Sequence, residues 1–295
     1  MAQQASPSVK VSCNAKINLF LRVTGVRSDG FHEIETVFHS IALADVVTVR
    51  RASRGFSVVS NDAALPRDAT NLAVRAAASL LGPAAAGGAA LDIEKRIPIG
   101  GGLGGGSADA AGALVAVNHL YGLGCSEERL EAVARTVGAD VSFMVRGGCA
   151  IGRGRGDSLE RLPPLPPLPL VVVVPSLAIS TAWAYNSLEM GLTSRAPRLS
   201  MIAGAIEKGD VAGLCGLLEN DFEALVFERF PTIKRVKDEL LASGARGALM
   251  SGSGSSIFGI FSKVGDAEAS GAALARQGLT VLIASLAARG VTMPL

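Results

Sequence analysis

Between residues 9 and 23 apolar and polar positions alternate. Val9, Val11, Cys13, Ala15, Ile17, Leu19, Leu21 and Val23 share one parity, and Lys10, Ser12, Asn14, Lys16 and Asn18 the other. A period of two is the pattern of a strand with one buried face. Ser28-Asp29-Gly30 then signals a turn. Alternation resumes over 33–41, and 45–50 reads as a further strand. Residues 71–81 form an Ala-rich helical stretch, and 89–94 return to strand. Helices follow over 107–120 and 126–137, and residues 149–151 are expected to close the sheet. In the second half, 170–174 reads as a buried strand, followed by helices over 181–190, 198–207, 210–218 and 231–243. Strands are expected at 246–250, 256–261 and 279–284.

Residues 162–169 carry five prolines, which neither a helix nor a central strand tolerates. A stiff connection between two units fits them better than a ligand for a proline-binding module. The boundary therefore falls between an N-terminal domain, 1–161, and a C-terminal domain, 162–295. The expected fold class is α+β, two sandwiches side by side.

Composition narrows the function. A net charge of +2 gives little reason to expect a nucleic-acid partner. The four cysteines show no CxxC spacing and there are only three histidines, so a structural zinc site is not expected. Reduced thiols in a cytoplasmic protein are the simplest account. The longest apolar run, 168–174, is too short to span a bilayer, and the N-terminus lacks the charged and apolar regions of a signal peptide.

The most informative stretch is 97–109, in which six glycines occupy seven positions, 100–106, ahead of Ser107. So many glycines are hard to justify by packing when each costs conformational entropy. A glycine loop that opens a helix offers unpaired N–H groups and a positive dipole end, which suits phosphate. Ser107 is the expected N-cap. Other glycine loops fit less well. A Walker A loop requires Lys where Ser107 stands. A dinucleotide fingerprint follows a strand directly, and Pro98 intervenes. A protein-kinase glycine loop lies in a hairpin, whereas a helix follows here.

Three further segments draw attention: Lys16 with Asn18, Gly138-Ala139-Asp140-Val141, and the Gly/Ser run 251–256. A carboxylate at 140 could accept a hydroxyl proton, and a nearby lysine could stabilise the developing alkoxide and the transferring phosphoryl. Taken singly, Lys16 reads more readily as a surface lysine and Asp140 as a cap or turn residue, and 251–256 reads equally as an ordinary turn.

Together and in this order the segments resemble the GHMP kinases. The match runs from about residue 9 to 262 on Ala15-Lys16-Ile17-Asn18-Leu19, Asp29-Gly30-Phe31-His32-Glu33, 98–109, Gly138-Ala139-Asp140-Val141, Asn220-Asp221-Phe222-Glu223, and Gly247 through Gly254. The resemblance implies the two-domain GHMP kinase fold, with a ribosomal protein S5 domain 2-like N-terminal domain and a ferredoxin-like C-terminal domain. It implies ATP and Mg²⁺ as cofactors. Pro98, Ile99, Gly100, Gly101, Gly102, Leu103, Gly104, Gly105, Gly106, Ser107 and Ala108 would wrap the ATP phosphates, with Ser107 near the metal. Asp140 would be the catalytic base and Lys16 its partner.

The Asp-Gly-aromatic-His-Glu stretch resembles the branch whose small-molecule substrate is a cytidine diphosphate methylerythritol, phosphorylated on its 2-hydroxyl on the non-mevalonate route to isoprenoids. Phe31, His32 and Tyr185 would hold the cytosine, and Asn18 would also contact substrate. The same resemblance implies no nucleic-acid or membrane partner, and a monomer or weak homodimer. In that branch Tyr is usual where Phe31 stands, Pro where Asn14 stands and Ser where Ala108 stands. On the residues alone, Phe31 and Tyr185 could equally be packing residues, and His39 and His119 read as structural. No role follows for Asp109, Asp157, Arg153 or Arg155. The rivals are a GHMP kinase for a homoserine-like or mevalonate-like alcohol, a nucleotide-binding protein without turnover, and a dehydrogenase. Phe31-His32, the intact Lys16 and Asp140, and the loop's context argue against them in turn.

Overall fold

The computed structural model describes residues 7–82, 87–188 and 198–293. Strand β1 spans Ser8–Val26 and pairs antiparallel along nearly its whole length with β2, His32–Ala52. The two strands expected at 33–41 and 45–50 are this one long strand. The register shifts opposite Asn14/Ala15, so the break in alternation is a bulge and not a turn. Outside this pair lie β3 (Phe56–Ser60), β4 (Gly88–Glu94), β5 (Cys149–Gly154) and β6 (Ser158–Leu162).

Helices α1 (Leu72–Leu81), α2 (Gly105–Tyr121) and α4 (Ala139–Arg146) pack against that sheet, and α3 (Glu127–Val137) packs on those three helices. Asn71 caps α1 by accepting from the Ala73 N–H at 2.8 Å, and Ser126 caps α3. Helix α4 is absent from the hydrophobic pattern, because only eight residues separate Gly138 from Gly147.

The alternation along β1 implies one wet face, but the structure buries both faces from Ala15 to Val23. Lys16 is 4% exposed and Asn18 1%. The glycine-loop region and the short strand β8 (Glu219–Asn220), which pairs with Phe20 and Leu21, cover what the pattern leaves to solvent.

The second sheet is antiparallel in the order β11–β7–β10–β9: Thr280–Ala287, Pro169–Val174, Ile257–Ile260 and Gly247–Met250. Helices α9 (Pro231–Ala242) and α10 (Val264–Ala275) pack on it. Helices α5 (Thr181–Ser187), α6 (Arg198–Glu207), α7 (Val211–Leu217) and α8 (Phe222–Arg229) connect the layers. Residues 189–190, the end of the helix expected at 181–190, lie outside the described residues.

Strand β11 continues past β7 to pair with Ser40 and Ile41 of β2, and β12 (Val291–Thr292) pairs with β1, so the C-terminal chain returns to the first sheet. In the proline-rich connection, the Leu165 N–H donates to His39 Nε2 at 3.2 Å. His39 Nδ1 lies 2.8 Å from the Ser40 carbonyl, which fixes a neutral imidazole with the proton on Nδ1. Burial pushes its pKa down to about 4. Among the described residues no helix is long and apolar enough to cross a membrane.

Candidate active site

A cavity of about 830 Å³ opens between the two sheets. Its lining includes Lys16, Asn18, Phe31, His32, residues 98–107, Asp140 and Tyr185, residues that lie far apart in sequence. Ala108 is fully buried in α2 and is outside the lining.

At the centre is Lys16. Its Nζ donates to Asn18 Oδ1 at 2.6 Å and to the Gly102 carbonyl at 2.9 Å, and lies 3.7 Å from Asp140 Oδ2. Asn18 is fixed in turn by donating to Thr36 Oγ1 at 2.8 Å, and Thr36 donates to the Phe20 carbonyl at 2.6 Å. Burial lowers the Lys16 pKa, and the Asp140 carboxylate offsets part of that. Asp140 stands in the first turn of α4 with its side chain about one-third exposed, open to the cavity. A carboxylate there is favoured by the helix dipole.

The glycine loop adopts a conformation that L-side chains avoid, with φ of +77° at Gly100, +77° at Gly102 and +74° at Gly104. Packing proves to need glycine at several positions, contrary to the expectation from sequence. A Cβ on Gly102 would lie 2.1 Å from the Ser251 carbonyl oxygen, and one on Gly101 would lie 2.5 Å from Ser256 Oγ. The 251–256 loop joins β9 to β10 and lies against the glycine loop. Ser251 Oγ donates to the Gly102 carbonyl at 2.9 Å, and the Ser256 N–H to the Gly101 carbonyl at 3.2 Å. The N-cap of α2 is Gly104, in the left-handed region and without a capping side chain, and Ser107 lies within the first turn. The helix starts earlier than expected because Gly105 and Gly106 join it. Its first helical bond runs from the Ala108 N–H to the Gly104 carbonyl, so the N–H groups of residues 105–107 are left for a ligand.

Beneath the loop lies a charged cluster that the sequence did not assign. Lys95, buried, donates to Asp45 Oδ2 and, at 2.8 Å, to Asp109 Oδ2. Asp45 Oδ1 accepts from the N–H groups of Arg96 and Ile97, at 2.6 and 2.8 Å, which ties down the entry to the glycine loop. Burial pushes Asp109 up to about 7 despite Lys95, and the two carboxylates outweigh burial to raise the Lys95 pKa. The signal was present in the chain, since Asp109 is the one charged residue in α2.

At the other end of the cavity the His32 and Tyr185 rings lie 4.8 Å apart at 41°, and Tyr185 meets Phe222 edge-on at 4.8 Å. Burial raises the Tyr185 pKa, which keeps its hydroxyl protonated at neutral pH. Phe31 is 56% exposed and is not a core residue. The Arg155 guanidinium sits 5.4 Å from its ring centroid and is held by Asp157 at 2.6 Å. Arg153 pairs with Glu160 at the surface, and His119 is exposed in the last turn of α2. Among the described residues no group of three or more His, Cys, Asp or Glu could hold a metal ion. Ser107 is the metal candidate of the sequence, half-buried at the mouth of α2.

Known proteins resemble this chain over most of its length. The GHMP kinases N terminal domain matches residues 71–149, and the GHMP kinases C terminal domain matches 202–278. A 4-diphosphocytidyl-2-C-methyl-D-erythritol kinase of Moorella thermoacetica is 44% identical over 248 residues, covering 83% of this chain and 87% of that protein. The protein of the same name from Gloeobacter violaceus is 40% identical over 294 residues, covering 97% of each. A crystal structure of 4-(cytidine 5'-diphospho)-2C-methyl-D-erythritol kinase superposes with a TM-score of 0.78 at 36% identity, over 94% of this chain and 98% of that one. Homoserine kinase from Cytophaga hutchinsonii reaches a TM-score of 0.80 at 22% identity, over 100% and 99% of the chains, and shares the fold.

Proposed function

The chain belongs to the GHMP kinases, and among them to the 4-diphosphocytidyl-2-C-methyl-D-erythritol kinases, and from that premise we propose how its site performs the reaction. It transfers the γ-phosphoryl of ATP to the 2-hydroxyl of 4-diphosphocytidyl-2-C-methyl-D-erythritol, giving the 2-phosphate and ADP. The observation that carries this reading is the Lys16–Asp140 pair, 3.7 Å apart, facing the glycine loop in the cavity that also holds the His32–Tyr185 rings.

Asp140 accepts the proton of the 2-hydroxyl as its oxygen attacks phosphorus. Lys16, held by Asn18 and the Gly102 carbonyl, keeps a positive charge beside the oxygen that becomes alkoxide-like. The free N–H groups at the start of α2 bind phosphate oxygens, and the positive end of the helix favours their charge. Phosphoryl transfer of this kind rests on positioning and charge stabilisation, which is what a rigid backbone cradle supplies. Mg²⁺ would come with ATP; Ser107 is the residue that would hold it, and the ion would supply neutralisation of charge on the transferring phosphoryl. Phe31 and Tyr185 stack on the cytosine, and His32 hydrogen-bonds its edge.

The test is ADP release from Mg-ATP with four alcohols: the cytidine compound, homoserine, mevalonate and galactose. Turnover with the cytidine compound alone is expected. Turnover with another alcohol would keep the Lys16/Asp140 chemistry and discard the base side. ATP binding without turnover of any alcohol would contradict the reading.

A further inference from the structure

Residues 220–223, Asn-Asp-Phe-Glu, take no part in the chemistry above, yet all four side chains are engaged at the site's borders. The segment is first fixed to β1, the strand that carries Lys16 and Asn18. Asn220 pairs with Leu21. The Asp221 N–H donates to the Leu21 carbonyl at 3.0 Å, and Asp221 Oδ2 accepts from the Val23 N–H at 2.9 Å.

From that anchor Asn220, 5% exposed, reaches the loop after β9. Its two amide hydrogens go to the carbonyls of Met250 and Gly252, at 2.7 and 2.8 Å, and its Oδ1 accepts from the Phe222 N–H at 3.0 Å. Two donors and an acceptor in one short planar group are what only an asparagine offers at this reach. Glu223 Oε1 takes the Met250 N–H at 2.9 Å, and its Oε2 pairs with Lys237 at 2.6 Å. The far edge of the same loop gives Ser251 Oγ to the Gly102 carbonyl, which is also the acceptor of Lys16 Nζ. The path therefore closes: β1, Asn220, residues 250–252, Gly102, Lys16, and β1 again. Phe222, fully buried, lies edge-on to Tyr185.

We propose that residues 220–223 are a positioning element with two separate outputs. Asn220 sets the phosphate side through the 251–256 loop, and Phe222 sets the base side through Tyr185. The proposal rests on the two-sided reading given under Proposed function. A residue that merely holds the fold together would weaken both sides alike when changed. A positioning element with two outputs gives opposite patterns from its two ends.

The experiment compares Asn220→Asp and Phe222→Leu with the wild type in steady-state kinetics. ATP and the cytidine alcohol are varied separately, and circular dichroism and thermal unfolding establish that each variant is folded. Asn220→Asp keeps the shape but turns both donors into an acceptor facing two carbonyls. It is expected to lower kcat about ten- to a hundredfold, with KM for the cytidine alcohol within about twofold. Phe222→Leu is expected to raise KM for the cytidine alcohol about three- to tenfold, with kcat and KM for ATP within about twofold. If Asn220→Asp does not fold, Asn220→Ser, which falls short of both carbonyls without setting a charge against them, must show the same pattern more weakly. Parallel losses in both variants, or no loss in either, would overturn the proposal. If the wild type does not turn over the cytidine alcohol, the functional reading fails instead. The split is then read from the dissociation constants of ATP and the cytidine alcohol, and a parallel change in both overturns the positioning role independently.

Discussion

The two ends of the cavity are built from different materials. The phosphate end is made of backbone: three glycines at positive φ, a second loop pressed against them, and a lysine 4% exposed with its Nζ hydrogen-bonded to a side-chain oxygen and a carbonyl. The base end is made of side chains: Phe31, more than half exposed, and the His32 and Tyr185 rings at 4.8 Å. A cradle of N–H groups binds any phosphate and allows little sequence variation, because an added Cβ meets an atom at Gly101, Gly102 and Gly104 and is strained by positive φ at Gly100, Gly102 and Gly104. A stack of rings selects its ligand and tolerates exchange of one aromatic for another, since every base presents a π-face. On the function proposed above, chemistry lies at the rigid end and selectivity at the adaptable one.

The largest effect expected is at the rigid end. Asp140→Asn should lower kcat by about 10²–10⁴-fold while ATP still binds; stopped-flow or single-turnover ADP formation measures it, and wild-type turnover would remove Asp140 from the mechanism. Gly102→Ala comes next. It places a Cβ 2.1 Å from the Ser251 carbonyl oxygen at φ +77°, so the two loops must part. A loss of about 10²-fold in kcat is expected, with a lower melting temperature. Full activity with an unchanged melting temperature would show that the loops are not interlocked.

At the adaptable end, Tyr185→Ala removes one face of the stack. KM for the cytidine alcohol should rise by about 5- to 150-fold, while KM for ATP stays within about twofold. Equal effects on both would erase the distinction between the two ends.

The smallest effect on catalysis belongs to neither end. His39 is held neutral, with its pKa lowered from 6.5 to about 4 by burial, so the unfolded chain binds the proton more readily. Its contribution to stability is complete above the unfolded value and is lost as pH falls from 6.5 toward 4, roughly 2 kcal/mol near pH 5. Chemical denaturation across that range should show His39→Gln with a shallower acid decline than the wild type. An unchanged slope would mean that His39 does not titrate on unfolding.

Much of this was legible before any coordinates. The alternation at 9–23, the helices near 71–81 and 126–137, and the Gly/Ser run 251–256 between two strands each arise from local chemistry, and local chemistry is written in the chain. What escaped depends on distant partners. Burial of the polar side of β1 comes from β8 and the glycine-loop region, which lie about 200 and 85 residues away by chain position. Helix α4 is too short for its period to register, so the sequence named Asp140 as the base without placing it in a first helical turn. The pattern also missed β3, β6, α8 and α10, which are short or, in α10, rich in Ala and Gly with a weak apolar stripe. In the site, the motif residues were visible by type. The Lys95 cluster, the Arg155–Phe31 stack and the contact between the two Gly/Ser loops required the fold to bring them together.

The most direct measurement compares kcat/KM for 4-diphosphocytidyl-2-C-methyl-D-erythritol with that for the same alcohol truncated to its 4-phosphate. If the base end directs selection, truncation lowers kcat/KM by about 10²-fold or more, because binding energy remote from the reacting hydroxyl is lost. Equal values for the two alcohols would contradict the account, leaving the phosphate end as the whole of the site.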